Sequence, residues 1–219
     1  MNQEPTNAPR VAELLDFSAA TVVVTGSSRG IGAAIAVRFA EAGAKLVVNY
    51  REQRTRAEAV TRDINDAGGS AIVVRADVSE ASGVDHLLNA ALDAYGHVSV
   101  WVNNAGVYPN STLLEMTENE WRDVLDASLT SVQLATQAAA KAMLEHATGV
   151  IINIASIEAS QPGRLHAHYD AAKAAVVMHT RAVAQELGPH GIRVNSISPG
   201  LIWRDGLEAA WPEGVERFR

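Results

Sequence analysis

The chain of 219 residues is long enough for one large domain with a full hydrophobic core. Its composition, 47% hydrophobic and 20% charged, is that of a soluble globular protein, and no apolar run approaches the roughly 18–20 residues of a membrane-spanning helix. A net charge of −7 argues against general affinity for nucleic acid or anionic membranes, and the lack of cysteine excludes disulfides, thiolate metal sites and a cysteine nucleophile.

Residues 1–17 carry two prolines and several acidic residues and read as a flexible tail ahead of a single domain over 18–219. They lack the basic-then-apolar plan of a signal peptide, so the default location is cytoplasmic. From Thr21 onward, short runs rich in Val and Ile alternate with longer Ala-rich segments. The runs Thr21–Thr25, Lys45–Asn49, Ala71–Arg75, Val98–Val102, Gly149–Ile154 and Ile192–Ile197 predict strands buried on both faces.

Between them, Ile31–Ala42, Arg54–Ala67, Val84–Tyr95, Glu118–His146 and Ala167–Leu187 repeat their apolar residues at the helical period. Thr117 with Glu120 reads as a capping box, and Gly43, Gly68, Gly96, Gly149 and Gly191 stand where left-handed turns would separate helix from strand. This βα alternation predicts an α/β fold, a doubly wound parallel sheet with helices on both faces.

Ligands of such sheets bind beyond the carboxyl ends of the strands, and the chemically unusual residues fall there. Gly26, Ser28, Arg29, Gly30, Ile31 and Gly32 form a loop between the first strand and its helix. Three glycines let the backbone approach a diphosphate, and the helix start offers it unpaired N–H groups; a turn needed only for packing would have the same composition. The spacing is not that of the usual dinucleotide fingerprint.

After the second strand, Asn49-Tyr50-Arg51 stands where an acidic residue would hold a ribose 2′-hydroxyl. Arg51 and Arg29 could instead flank a 2′-phosphate, which favours NADP(H), or lie solvated on the surface. Asp77, followed by Val78, either reaches the adenine amino group or caps the next helix. Asn103, Asn104, Ala105 and Gly106 offer a small turn against which a cofactor can lie, or a plain turn.

Tyr169 and Lys173 stand four apart on one predicted helix, so both project from one face. A nearby ammonium favours the phenolate, and the expectation is a Tyr169 pKa below its usual value near 10. Tyr169 could then pass a proton to or from a substrate oxygen while Ser156, at the end of the fifth strand, holds that oxygen by a hydrogen bond. His166 and His168 form a His-x-His pair beside Tyr169 without a third ligand in view, so no metal is expected and both are read as lining the substrate pocket.

Together these residues resemble the short-chain dehydrogenase/reductase family. Thr25 to Gly32 matches its cofactor loop, Asn103 to Gly106 its cofactor-contacting segment, and Ser156, Tyr169 and Lys173 its catalytic set. Arg193-Val194-Asn195 through Ser198-Pro199-Gly200, with Ile202 beyond, matches the segment facing the nicotinamide. The resemblance runs from about Thr21 to Gly200 and implies a Rossmann-type sheet, a lysine that also binds the nicotinamide ribose, and a small-molecule carbonyl or alcohol substrate. Asn49-Tyr50-Arg51 and Arg29 are similar to the NADP-preferring members, including the 3-oxoacyl-carrier-protein reductases.

Two departures stand out. Ser128 occupies a proton-relay position that is often Asn in the family. The family usually continues for some tens of residues beyond Pro-Gly into a lid, a last strand and a Gly-rich tail; this sequence stops at Arg219, so either the chain is incomplete or its substrate side is abbreviated. Arg204 stands where a Thr is common, and Trp203, Trp211 and Phe218 read as part of a lid or of a surface packed on something else. In relatives the two long Ala-rich helices form the subunit interface, which implies a homodimer or homotetramer. An alternative to catalysis is a dinucleotide-binding sensor or scaffold without turnover, and a third reading keeps the nucleotide for epimerisation or dehydration.

Overall fold

Six strands lie in one sheet: β1 (Thr21–Val24), β2 (Lys45–Tyr50), β3 (Ser70–Arg75), β4 (Val100–Asn103), β5 (Gly149–Ile154) and β6 (Ile192–Ile197). Their order is 3-2-1-4-5-6 and every pairing is parallel, for example Val23 with Val47 and with Trp101. This is the doubly wound nucleotide-binding topology, in which strand order reverses between β1 and β4 and opens a crevice at their carboxyl ends. The computed structural model describes residues 14–203, 206–210 and 212–217. Most of the expected tail, and Arg204, Trp211 and Phe218 of the expected lid, lie outside the described residues.

The helices that matter for the site are α1 (Gly30–Glu41), α2 (Arg54–Asp66), α3 (Ala81–Tyr95), α4 (Glu118–Leu125), α5 (Ser131–Leu144) and α6 (Ala167–Leu187). Alternate residues of each strand enter different layers, which explains the unbroken apolar runs. Val23, Val47 and Ile151 pack with Leu87 of α3 and Ala135, Ala139 and Met143 of α5. Val22, Val24, Leu46 and Val48 pack with Ala36 of α1 and Ala57 and Ile64 of α2. Burying each Val, Leu, Ile or Met side chain among them stabilises the domain by about 1.5–3 kcal/mol.

Several expectations need revision. Phe17, assigned to the tail, belongs to the fold: its ring meets Phe39 edge-on at 5.1 Å and its N–H donates to Ala42 O. Gly149 is not a left-handed turn residue; that role falls to Ala147, with φ 51°. Gly149 is required because a Cβ there would strike Met143 of α5. Helix α3 begins three residues early, at Ala81.

The helix expected over Glu118–His146 is two helices joined by a π-helical turn, Asp126–Thr130. Its start is as expected, with Thr117 Oγ1 accepting from Glu120 N and Glu120 Oε2 accepting from Thr117 N. Among the described residues no helix is long and apolar enough to cross a membrane.

Candidate active site

The loop after β1 is built around its glycines. Gly26 and Gly30 hold φ of 62° and 57°, a region that side chains resist. A Cβ on Gly26 would come within 2.9 Å of Ala105 Cα, and one on Gly32 would press on Asn104, Gly26 O and Ser27 Cα. Gly30, by contrast, faces open space with nothing within 4 Å. It begins α1, whose N-cap Arg29 is extended and makes no side-chain cap. The first turn of α1 therefore presents uncapped N–H groups to that space, a donor set suited to a diphosphate.

Three sequence candidates act from behind this loop. Asn49 is buried; its Oδ1 accepts from Gly26 N at 3.0 Å and its Nδ2 donates to Ala76 O at 3.1 Å. Tyr50 packs in the core with its carbonyl bound to Ala76 N. Asn103 is also buried, donating to Asn153 Oδ1 at 2.8 Å and accepting from Trp101 Nε1 at 2.9 Å. Asn153 continues the chain to Thr180 on α6. The side chains of Asn49 and Asn103 are thus committed to the fold, and they shape the cofactor cleft from below.

Thr25 and Asn104 tie the β1 loop to the β4 loop. Thr25 Oγ1 accepts from the N–H groups of Asn104 and Ala105 at 3.0 Å each, and Asn104 Nδ2 donates to Thr25 O and Gly26 O. Beyond β2, half-exposed Arg51 pairs with Glu52 at 3.1 Å and reaches Asp77 at 3.8 Å. Arg29 is exposed. Asp77 Oδ1 accepts from both the backbone and the hydroxyl of Ser79, so it caps the turn ahead of α3, and Val78 is buried beside it.

On the far side of the crevice, Ser156, Tyr169 and Lys173 meet. Ser156 follows β5 and caps a single 3-10 turn, Ile157–Ala159, its Oγ accepting from Glu158 N at 3.1 Å. It also lies close enough to the Tyr169 hydroxyl to favour the phenolate. Lys173, one turn along α6, lies beneath the phenol with Nζ 5.7 Å from the ring centroid, donating to Ile154 O at 2.7 Å. A Cβ on Gly106 would sit 3.3 Å from Ser128 Oγ and 3.6 Å from Lys173 Nζ, so these groups converge on one point.

The electrostatics differ from expectation. Burial pushes the Tyr169 phenol above its usual range, the neighbouring Ser156 side chain offsets part of this, and Glu158, Tyr108 and Asp170 raise it further. Lys173 does not depress it. Its ammonium is directed at Ile154 O from below the ring, and burial lowers its own pKa to about 8.

Ser128 is fully buried on the π-helical turn, its Oγ 3.4 Å from both N and O of Val107. π-Turns inside helices are frequent at functional sites, because they break the regular backbone ladder. After β6, Pro199 O accepts from Ile157 N, joining that loop to the Ser156 turn, while Gly200, Ile202 and Trp203 are exposed.

The histidines part ways. His166 faces the site, its ring edge-on to Tyr169 at 5.8 Å. His168 is wholly buried with Nδ1 accepting from Tyr169 N, and so does not line the pocket. Two carboxylates that the sequence did not single out join His166: the ligand-type atoms of Glu158, His166 and Asp170 lie within 4.8 Å of one another. His166 Nδ1 contacts Glu158 Oε2 at 2.9 Å, and burial together with the nearby Glu158 carboxylate pushes the Asp170 carboxyl up. Their closeness in sequence to Ser156 and Tyr169 was the available signal.

A dinucleotide crevice at a sheet reversal, with Ser, Tyr and Lys on its opposite wall, defines a nicotinamide-dependent oxidoreductase of the Rossmann type. The sequence profile described as short chain dehydrogenase matches residues 20–212, and the chain belongs to that family. It is 42% identical over 202 residues to a 3-oxoacyl-(acyl-carrier-protein) reductase of Synechocystis, covering 92% of this chain and 82% of that protein. It is 44% identical to 3beta-hydroxysteroid dehydrogenase 1 of Eggerthella lenta, covering 85% and 72%. The fold matches the crystal structure of a short-chain type dehydrogenase/reductase from Mycobacterium marinum with a TM-score of 0.86 at 37% identity, over 93% of this chain and 82% of that one.

Proposed function

We propose that this oxidoreductase is NADP(H)-dependent and interconverts a carbonyl and a secondary alcohol, with Tyr169 as the proton donor or acceptor. The observation that carries the reading is Tyr169 beside Ser156, with the Lys173 ammonium 5.7 Å from its ring, across from the uncapped start of α1. The residues fit a dinucleotide: glycines where side chains would fill the cradle, free N–H groups for the diphosphate, and Arg51 rather than an acidic residue directly after β2. When bound, the nicotinamide would supply or receive the hydride.

The chain's own residues do the rest. Ser156 donates to the substrate oxygen and holds it within reach of the phenol. In reduction Tyr169 gives its proton to that oxygen as charge develops. Its raised pKa keeps the donor protonated at neutral pH, and Lys173, held on Ile154 O below the ring, stands where the nicotinamide ribose would lie. Ser128, beside Lys173 and Gly106, lies on the path for returning a proton from the π-turn side. Ala105, Gly106, Pro199, Gly200 and Ile202 would flank the nicotinamide end, with Arg51 and Arg29 at the adenosine end.

The two relatives name chemically distant substrates, so the test spans both: NADPH oxidation against simple ketones, β-ketoacyl thioesters and ketosteroids. Tyr169→Phe is expected to lower kcat by about 10²–10⁴-fold with cofactor affinity intact. Arg51→Asp is expected to weaken NADPH binding by about tenfold or more and NADH far less. NADPH binding without oxidation of any of these substrates would overturn the reading. Half-exposed Met178 on Ala-rich α6 suits packing against a second copy, and light scattering should give a homodimer or homotetramer of a cytoplasmic enzyme.

A further inference from the structure

Three loops at the rim of the crevice meet on His166. Its Nδ1 lies 2.9 Å from Glu158 Oε2 on the turn after β5, and its Nε2 lies 2.7 Å from Asn110 Oδ1 on the loop after β4. Next to it Leu165 adopts φ 68°, a left-handed conformation that a branched side chain keeps only when its surroundings enforce it. The Leu165 carbonyl is spent on the same crossing, accepting from Ser111 N at 2.9 Å. Asp170 accepts from Gly163 N at 3.2 Å and so closes the loop back onto α6.

None of these bonds reaches the glycine loop or Lys173, and neither His166 nor Asn110 is hydrogen-bonded to Tyr169 or Ser156. Their effect falls on the space in front of the phenol. Tyr108, carried by the β4 loop, stands edge-on to Tyr169 at 6.2 Å, while His166 stands edge-on from the α6 side at 5.8 Å. Tyr108 is 65% exposed, so packing alone does not fix it. The bonds between Asn110 and His166 and between Ser111 and Leu165 fasten the strip that carries it.

We infer that His166 is a positioning residue that clasps the loop 107–111 to the start of α6, and thereby sets the slot between Tyr108, Tyr169 and His166 through which the substrate carbonyl reaches the phenol. The kinetic consequence rests on the carbonyl-reductase reading, whereas the clasp itself has a readout that needs no turnover.

His166→Phe keeps an aromatic ring and loses both bonds; Asn110→Leu loses one of them. In either variant, hydrogen exchange at the Ser111 amide should accelerate by about tenfold or more, while amides of β1 and β4 stay unchanged. For any carbonyl the wild type reduces, KM should rise by about tenfold with kcat within a few-fold and NADPH affinity unchanged. Adding Asn110→Leu to His166→Phe should cost nothing further, because both remove the same contact. Ser111 exchange at the wild-type rate in both variants would overturn the clasp, as would full additivity of the two substitutions. A wild type that turns over no carbonyl would defeat the reductase reading alone, leaving the exchange result to decide the clasp.

Discussion

Replacing Lys173 with methionine tests how the fold tolerates its buried ammonium. The side chain is 4% exposed and its pKa falls from 10.5 to about 8 through burial. For a lysine lowered on folding, the unfolded chain binds more protons between these two values, so stability rises with pH across that window. Below about pH 8 the folded state carries the full penalty of the charged form, about 3 kcal/mol, and above about 10.5 the penalty is gone.

Methionine keeps the stem and removes the charge, so the variant carries no such term. It also loses the bond to Ile154 O, which costs about 1–3 kcal/mol at every pH and leaves the slope untouched. Chemical denaturation of both proteins from pH 7 to 10.5, at one protein concentration and without nucleotide, should show the advantage of the variant shrinking by about 3 kcal/mol. A difference that stays flat with pH would refute the reasoning, because it would mean that Lys173 is paired or hydrated enough to keep its ordinary pKa.

Two further outcomes follow. Ser156→Ala removes the side chain that lowers the Tyr169 pKa, so the rise of alcohol oxidation with pH should move to more alkaline values, with kcat down by about 100-fold. A pH–rate profile of the variant would show this directly, and an unmoved alkaline limb would detach Ser156 from the phenol. Gly32→Ala places a methyl group against the backbone of Gly26 and Ser27 at 2.8–2.9 Å. It should cost about 1–3 kcal/mol in denaturation and abolish nucleotide binding in fluorescence titration.

The strands were legible because both of their faces are buried, so Val and Ile run on without polar interruption. The site's glycines, Ser156, Tyr169 and Lys173 were legible because each stands at a strand end or at a fixed helical step. Other features depend on contacts distant in sequence. Asn49 and Asn103 looked like ligand contacts, yet their amides hold neighbouring strands together. The charge effect expected of Lys173 on Tyr169 failed because helical spacing sets which face a residue occupies, not where its ammonium points. Asn110 and His166 are 56 residues apart, and no local pattern could pair them.

The π-helical turn at Asp126–Thr130 has a consequence for how α4 and α5 must be read. A bond that encloses one more residue than an α-type bond leaves everything after it a step late, a phase slip of about 100° around the axis. Helical-wheel projections drawn straight through 118–144 will misassign which residues face the sheet. Deleting one residue between 126 and 130 would restore an unbroken α-helix, but only by swinging either Ser128 off the crevice or Ala135, Ala139 and Met143 out of the core.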